Sequence, residues 1–244
     1  MNRPYTICHI VSSLNGKIAG PFMGTEAAMP VIQEYARIRT EMKGSAWLYG
    51  TVTTKEFTGS RKPDLREGVS FVPPGDYVAD NRARLYYVSV DTGGEIGWES
   101  GTFSMNGRPD AHVIEVLTEN TSSVYRAYLR TKKVSYILAG KEKLDCKLAE
   151  RKLYALFGIR TLLICGGGSV NWSFLQAGAV DELSLLLAPA ASGRHGFPSV
   201  FEQDSSLEDG LPVEFALKDV KTIKGDGVWL TYLAKNRDFD SANG

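Results

Sequence analysis

A run of three glycines is the clearest candidate for chemistry in this sequence. Cys165-Gly166-Gly167-Gly168-Ser169 ends an apolar segment over residues 161–165 and precedes a short predicted helix over residues 170–177. Glycines let a ligand approach the backbone closely, and the free N–H groups that open a helix attract phosphate. The pattern therefore indicates a phosphate-binding turn or, alternatively, a tight strand-to-helix turn that holds no ligand.

A second turn of small residues follows the apolar residues 46–49. It reads Gly50-Thr51-Val52-Thr53. Open parallel sheets bind ligands outside the carboxyl ends of their strands. Two such turns at one sheet edge are therefore expected to bracket one extended, phosphate-bearing cofactor. The alternative is that Thr51 or Thr53 only caps a helix, as threonine commonly does.

The elements that must position these turns are short apolar strands that alternate with helices. Strand, helix and strand over the first 50 residues predict parallel neighbours, and Gly225-Asp226-Gly227 between two alternating segments predicts a hairpin. We expect an α/β fold, a single domain over residues 1–236 with a polar tail over 237–244. Its central sheet is predicted to be mostly parallel, with helices on both faces and an antiparallel C-terminal hairpin.

The boundaries of these elements follow from apolar periodicity and turn residues. Helices are predicted over residues 25–43, 122–130, 147–157 and 170–177. Strands are predicted over residues 5–11, 46–49, 84–90, 112–117, 134–138, 161–165, 182–188, 213–223 and 228–234. Residues 58–81, rich in glycine, proline and charge, are expected to form an exposed loop, and residues 92–110 are expected to form a second, glycine-rich loop.

The composition argues against several classes of protein. Among 244 residues, 28 are basic and 28 are acidic, so no net charge attracts nucleic acid or an anionic membrane. No apolar run approaches the length of a membrane span, and the N-terminal residues lack a signal-peptide pattern. We expect a cytoplasmic protein that binds neither nucleic acid nor membrane.

The cysteines and histidines are too scattered to suggest a metal site. Cys8, Cys146 and Cys165 show no paired spacing with one another or with a histidine. Buried, reduced thiols and no bound metal are therefore expected. His9 lies in a strand predicted to be buried on both faces, and is expected to be a hydrogen-bonded core histidine.

Five short motifs occur along the chain in an order that resembles one reductase family. They are Ser13-Leu14-Asn15-Gly16-Lys17-Ile18, Tyr49-Gly50-Thr51-Val52-Thr53, Tyr87-Val88-Ser89-Val90-Asp91, Leu163-Ile164-Cys165-Gly166-Gly167-Gly168, and Gln176-Ala177-Gly178-Ala179-Val180-Asp181-Glu182-Leu183 with Ala188-Pro189 after it. The ordered set resembles the C-terminal reductase domain of the riboflavin-biosynthesis deaminase/reductase, RibD, which shares the dihydrofolate reductase fold. The resemblance runs over nearly the whole chain.

This resemblance implies an NADPH-dependent reductase that forms a homodimer. Backbone near Val11 and Ser13 would border the nicotinamide, with Gly16 in the adjacent loop. In the turn that begins at Gly50, Thr53 would bind the phosphate-bearing adenosine side of the cofactor. The pyrophosphate would be held by Gly167, Gly168, Ser169 and Val170, and Gly166 would also belong to the cofactor site.

The part of the family pattern that contacts substrate is altered in this chain. The family's glutamate before the three glycines is Cys165 here, and a thiol cannot supply a carboxylate's charge. The family's aspartate after the Gly-x-x-Thr turn is also missing, with Glu56 and Phe57 at the nearest positions. The riboflavin precursor 5-amino-6-(5-phosphoribosylamino)uracil is thus the family's default substrate, and the exact substrate stays open.

A few charged side chains are candidates for the remaining roles. Arg37, Arg39 and Arg66 could bind a substrate phosphate, together with Cys165 in the substrate pocket, or the arginines are exposed charges with no special role. Glu26 and Glu34 are predicted on the first helix, where burial would raise the pKa of a proton donor. The alternative is that they only decorate the helix surface.

The sequence thus favours hydride transfer from NADPH to a C=N or C=O carbon of a small heterocyclic or sugar-derived substrate. Two rivals remain at this point. One is reduction of dihydrofolate or another pterin. The other is a non-catalytic protein that binds NADPH, which the changes at Cys165 and Phe57 motivate.

Overall fold

The computed structural model describes residues 2–65, 72–203 and 212–235. Contacts between residues group the chain into two compact units. The first unit consists of Ser45–Leu162 together with the N-terminal residues up to Pro4, and the second consists of Tyr5–Gly44 and Leu163–Gly244. The predicted domain boundary at residue 236 stays a prediction.

The first unit is built on four parallel strands in the order β2, β3, β5 and β6. These strands are β2 (Ala46–Gly50), β3 (Tyr86–Val90), β5 (Ala111–Leu117) and β6 (Ser135–Leu138). A two-residue strand, β4 (Thr102–Phe103), pairs antiparallel with the start of β5. Every residue of β3, β5 and β6 is buried, which is why these strands appear in the sequence as almost continuous apolar runs.

Three helices complete the first unit, namely α2 (Thr51–Phe57), α3 (Ser123–Thr131) and α4 (Cys146–Phe157). Side-chain oxygens of Ser122 and Asp145 cap α3 and α4 by accepting hydrogen bonds from first-turn N–H groups. The structure thus confirms the two predicted helices of this unit to within a residue at each end.

Asp91, directly after β3, organises the glycine-rich stretch that follows. Its buried carboxylate accepts hydrogen bonds from the backbone N–H of Glu95 (2.7 Å) and Ile96 (2.9 Å) and from the Tyr125 hydroxyl (3.1 Å). Burial raises the pKa of the Asp91 carboxyl, while these three bonds act against that increase. The Asp91 carboxylate therefore closes the turn over residues 91–96, whereas the sequence motif identified Asp91 only as the residue that ends a strand.

The glycine-rich stretch over residues 92–110 is buried in its middle. Ile96 and Trp98 are buried, and Trp98 Nε1 donates a hydrogen bond to the Glu115 carboxyl. The stretch contains too few consecutive apolar residues for its local pattern to reveal this burial. The other predicted loop lies partly outside the described residues, at 66–71.

The second unit combines parallel and antiparallel pairing. Strand β1 (Tyr5–Ser13) runs parallel to β8 (Glu182–Ala188). Next to β8 lies the hairpin formed by β9 (Phe215–Ile223) and β10 (Gly227–Ala234), with β10 antiparallel to both neighbours. A further strand, β7 (Thr161–Ile164), begins in the first unit and ends in the second.

The helices of the second unit are α1 (Met29–Glu41), α5 (Gly168–Gln176) and a short 3-10 helix over Pro21–Gly24. Helix α1 starts at Met29 rather than at residue 25 as the periodicity predicts. A core cluster of this unit packs α1 and the 3-10 helix against β1 and β8, and it comprises Val11, Phe22, Ala28, Val31, Ile38, Leu186 and Ala188.

The structure confirms the predicted fold class, an α/β fold with a mostly parallel sheet and an antiparallel C-terminal hairpin. The three cysteines are buried and form no disulfide. In the described parts of the chain, no helix combines the length and apolar character that crossing a membrane requires.

A fully buried histidine links three elements of the second unit. The imidazole of His9 stacks on the Tyr35 ring at 4.4 Å, and its Nε2 lies 3.1 Å from the Tyr35 carbonyl oxygen. A carbonyl can only accept, so Nε2 carries the proton and Nδ1 accepts from the Ser184 hydroxyl at 3.0 Å. Trp229 Nε1 donates to the same hydroxyl oxygen at 2.8 Å. His9 is thus a hydrogen-bonded core histidine, as expected.

We predict that His9 makes stability depend on pH under mildly acidic conditions. Burial lowers the pKa of His9 to about 4, whereas the unfolded chain titrates near the ordinary value of roughly 6.5. As pH falls between these values, only the unfolded state gains the proton. The stability advantage of wild type over His9→Gln, measured by urea unfolding, should therefore shrink by about 3 kcal/mol from about pH 7 to about pH 4.

The matched control for this experiment is His195→Gln. This variant removes an exposed imidazole of the same unit. An energy difference between wild type and His9→Gln that stays constant across this pH range would contradict the prediction.

Candidate functional site

The turn between β7 and α5 contains the three glycines. The peptide bond between Gly166 and Gly167 is cis. Gly166 has a φ of 111°, a conformation that residues with a side chain rarely adopt. At Gly168 the constraint is space, because a Cβ atom there would lie 2.4 Å from the carbonyl oxygen of Ser199. Glycine is thus required at Gly166 for conformation and at Gly168 for close approach.

Helix α5 begins inside the glycine run, with Gly167 at its N-cap and Gly168 as its first residue. No side chain caps this end of the helix. The N–H groups of the first turn have no acceptor within the helix itself, and the helix dipole adds partial positive charge there. Because α5 starts earlier than residue 170, the first turn contains Gly168, Ser169 and Val170. This arrangement suits a phosphate.

The turn after β1 is closed by its own serine. Ser13 Oγ accepts a hydrogen bond from Lys17 N–H at 3.0 Å and donates to Asn15 Oδ1 at 2.9 Å. The backbones of Ser13 and Gly16 also bond at 2.9 Å, and Gly16 has a φ of 77°. The Ser13 side chain is therefore used to hold the turn, and the side chain of Val11 is buried in the core.

Residues 197–202, called here the connecting segment, run along this turn. Val200 N–H donates to the Gly16 carbonyl at 3.1 Å, and Ile18 N–H donates to the Pro198 carbonyl at 3.0 Å. These bonds attach the segment to the backbone on both sides of Lys17.

The same segment is also attached to the first turn of α5. Glu202 N–H donates to the Gly168 carbonyl at 3.2 Å, and Asn171 Nδ2 donates to the Val200 carbonyl at 2.8 Å. The connecting segment thus links the turn at Gly16 to the glycine-rich end of α5. No periodicity or motif in the sequence distinguishes this segment from an ordinary loop, so its contacts could not be predicted from the residues alone.

Cys165 occupies the last position before the glycines, and its thiol is buried. Its sulfur lies 3.7 Å from the Leu163 carbonyl oxygen. No three side chains of histidine, cysteine, aspartate or glutamate come together as a metal site within residues 2–65, 72–203 and 212–235.

In the first unit, the Gly50–Thr53 turn opens α2, a helix that the sequence pattern did not predict. Gly50 is the N-cap residue, and no side chain caps the helix. The alternative that Thr51 or Thr53 is a cap is therefore wrong. Thr51 lies inside the helix, and its hydroxyl donates to the Val90 carbonyl at 2.7 Å, which fixes the helix start to the end of β3. The predicted cofactor contact of Thr53 stays a prediction.

Arg37 and Glu34 form an ion pair on α1. Arg37 Nη2 lies 2.8 Å from Glu34 Oε2, and a second guanidinium nitrogen pairs with Glu41. The Arg37 guanidinium lowers the pKa of the Glu34 carboxyl. This direction is opposite to the raised pKa expected of a proton donor. The half-exposed Arg37 is already paired with two carboxylates, which agrees with an ordinary role on the helix surface.

The other predicted charged residues have different surroundings. Arg39 is buried, with its guanidinium 5.5 Å from the centre of the Tyr35 ring. The alternative that Arg39 is an exposed charge on the helix surface is therefore wrong. Glu26 is exposed and precedes α1, so its predicted place on the helix is wrong. The local residue types did not reveal that the helix starts later. Arg66 lies outside the described residues.

The fold is that of an α/β protein with parallel strands. In the second unit, α5 begins in a glycine-rich turn without a side-chain cap, and the connecting segment packs against this end of the helix. A family model described as the RibD C-terminal domain matches residues 4–229. The chain belongs to this family, as its ordered motifs indicated.

Two curated relatives share the same name, 2,5-diamino-6-ribosylamino-4(3H)-pyrimidinone 5′-phosphate reductase. The protein from Methanothermobacter thermautotrophicus is 27% identical over 104 residues, which covers 43% of this chain and 47% of the relative. The protein from Aquifex aeolicus is 34% identical over 64 residues, which covers 26% and 28%. The chain thus matches less than half the length of either relative.

Solved structures resemble nearly the whole chain. A pyrimidine reductase-like protein from Corynebacterium diphtheriae has a TM-score of 0.67 at 19% identity, covering 96% of this chain and 92% of that one. RibD from Acinetobacter baumannii has a TM-score of 0.63 at 20% identity, covering 96% and 59%. The riboflavin biosynthesis reductase of Saccharomyces cerevisiae has a TM-score of 0.58 at 15% identity, covering 96% and 91%. At these identities the similarity establishes the fold.

We predict that Gly168→Ala destabilises the second unit more than Gly193→Ala does. The added Cβ would displace the Ser199 carbonyl, and with it the connecting segment, at a cost of about 1–3 kcal/mol in the free energy of unfolding. Urea unfolding measures this change. Gly193→Ala is the matched control, because a Cβ there meets nothing within 4 Å. Equal effects of the two substitutions would contradict the prediction.

Proposed function

We propose that this chain is an NADPH-dependent reductase that transfers a hydride to a C=N or C=O carbon of a phosphoribosylaminopyrimidine. Membership of the RibD C-terminal domain family supports this proposal, as do the reductase names of its two curated relatives. The observation that carries it is the start of α5, where the glycine run leads directly into a helix whose first-turn N–H groups are capped by no side chain.

The residues present fit a dinucleotide in the second unit. The N–H groups of Gly168, Ser169 and Val170 would hold the pyrophosphate, because they open α5 without a side-chain cap. The turn between Ser13 and Gly16 would border the nicotinamide, and its internal hydrogen bonds hold its shape. NADPH, when bound, supplies the hydride. The roles of Gly50 and Thr53 on the adenosine side stay predictions.

The proton that accompanies hydride transfer is proposed to come from water. The Arg37 guanidinium keeps Glu34 in its ionised form, since it lowers the pKa of that carboxyl. A carboxylate already paired in this way is a poor proton donor at neutral pH. The chain's part in the reaction is therefore to orient the reactants and to exclude solvent around them.

Two related pyrimidines are the candidate substrates. The names of the relatives specify 2,5-diamino-6-ribosylamino-4(3H)-pyrimidinone 5′-phosphate, and the family default is 5-amino-6-(5-phosphoribosylamino)uracil. These differ at position 2 of the ring, which carries an amino group in the first and a carbonyl in the second. Both candidate pyrimidines carry a phosphate group on the ribose.

A second candidate function is non-catalytic binding of NADPH. It is favoured by the two departures from the family's substrate contacts, both of which are packed into the protein. Cys165 is buried, and Phe57 packs edge-on against the Tyr49 ring at 5.4 Å. This candidate predicts the same cofactor binding with no turnover of either pyrimidine.

We predict that the purified protein binds NADPH more tightly than NADH, measured by titration calorimetry of each. With NADPH present, addition of one of the two pyrimidine phosphates should lower the NADPH absorbance, and dihydrofolate should not. Reduction of dihydrofolate instead would assign a pterin reductase. Cofactor binding without oxidation by any of the three would favour the non-catalytic candidate, and no binding of either nucleotide would refute the reductase proposal.

The assembly and location of the protein are also predictions. The homodimer that the family resemblance implies can be tested by light scattering of the purified protein. Cytoplasmic location follows only from the sequence expectations.

A further inference from the structure

Asn171 is a buried polar side chain that none of the family motifs includes. It lies in the first turns of α5 and is fully buried. Its Nδ2 donates to the Val200 carbonyl at 2.8 Å, while its Oδ1 has no hydrogen-bond partner among the described residues. Burial of an amide with one unpaired oxygen is unfavourable for folding. A buried residue of this kind is therefore a candidate for a role beyond packing.

Val200 connects Asn171 to the turn after β1. Its carbonyl accepts from Asn171, and its N–H donates to the Gly16 carbonyl at 3.1 Å. Both backbone polar groups of one residue are thus used to join the first turns of α5 to the turn after β1. Asn171 supplies the side-chain link from α5 to the connecting segment, and Lys17 Nζ makes a further side-chain link from the turn after β1 by donating to the Phe197 carbonyl at 2.9 Å.

We propose that Asn171 is a positioning residue that fixes the turn at Gly16 relative to the start of α5, acting through Val200. This inference rests on the proposed function, which assigns these two loops to the nicotinamide and the pyrophosphate. If the loops are held at the correct separation before the cofactor arrives, less conformational freedom is lost on binding. The hydride-bearing ring is then also held in one orientation.

The remaining contacts of the connecting segment limit the size of the effect. Glu202 still bonds to Gly168, and Ser199 still pairs with Lys17, when the Asn171 side chain is removed. Loss of Asn171 should therefore loosen the Gly16 turn without releasing the whole segment. An effect of the size of one hydrogen bond, about tenfold in affinity, is expected.

The test compares Asn171→Leu with wild type for two ligands. Leucine keeps the branched shape of the side chain, with the same number of heavy atoms, and removes the amide donor. NADPH reaches both loops, whereas 2′-phosphoadenosine diphosphate ribose carries the pyrophosphate and lacks the nicotinamide ring. We predict that the Kd for NADPH rises about tenfold in the variant, while the Kd for the fragment changes less than about twofold.

The matched control is Ser173→Ala on the same helix. Ser173 Oγ donates to the Ser169 carbonyl at 2.8 Å and has no contact of this kind with the connecting segment. This variant also loses one hydrogen bond from α5. It should bind both ligands as wild type does.

A second variant keeps the test valid if Asn171→Leu fails to fold. Val200→Pro removes the N–H that reaches Gly16 and keeps the carbonyl that Asn171 contacts. It should show the same selective loss of NADPH affinity. Where both variants fold, combining them should add little, because they interrupt one series of contacts.

The outcomes separate this inference from the proposed function. Equal losses for NADPH and the fragment, or no loss for either, would refute the positioning role while wild-type NADPH binding leaves the reductase proposal intact. If wild type binds no NADPH, both proposals fail. A loss confined to NADPH, absent in Ser173→Ala, is the result that supports the positioning role.

Discussion

The close contact between the backbone of Gly168 and the carbonyl oxygen of Ser199 is the constraint on which the candidate site depends. Only a residue without a Cβ allows the connecting segment to lie against the first turn of α5. That placement in turn lets the segment bond to the turn at Gly16. The candidate site in the second unit is therefore made largely of backbone atoms, and its shape depends on the absence of a side chain at Gly168.

The titratable groups of the second unit serve mainly to stabilise its structure. His9 is neutral and fully hydrogen-bonded, and Glu34 is ionised beside Arg37. By contrast, no side chain caps the N–H groups at the start of α5, where we propose that the cofactor binds. A site of this kind binds and orients, which suits a reaction whose reactive group belongs to a cofactor.

The departures from the family pattern concern residues that the structure packs tightly. Phe57 lies under the Arg108 guanidinium at 4.8 Å and against Tyr49, and the Cys165 thiol is buried. Such replacements change which polar groups a pocket can offer while they leave the fold intact. The chain can thus belong to the family while its exact substrate stays open.

The sequence by itself determined the strands other than the two-residue β4, the hairpin at Gly225–Gly227 and the glycine turn, because local patterns of burial and turn residues encode them. It misplaced the start of α1 and missed α2, since helix ends and short helices depend on tertiary contacts such as Thr51 with Val90. Only the tertiary structure decided which loops meet at Gly168. Hydrogen bonds between Gly16 and Val200 join residues far apart in the chain, and no local pattern of residue types records such a contact.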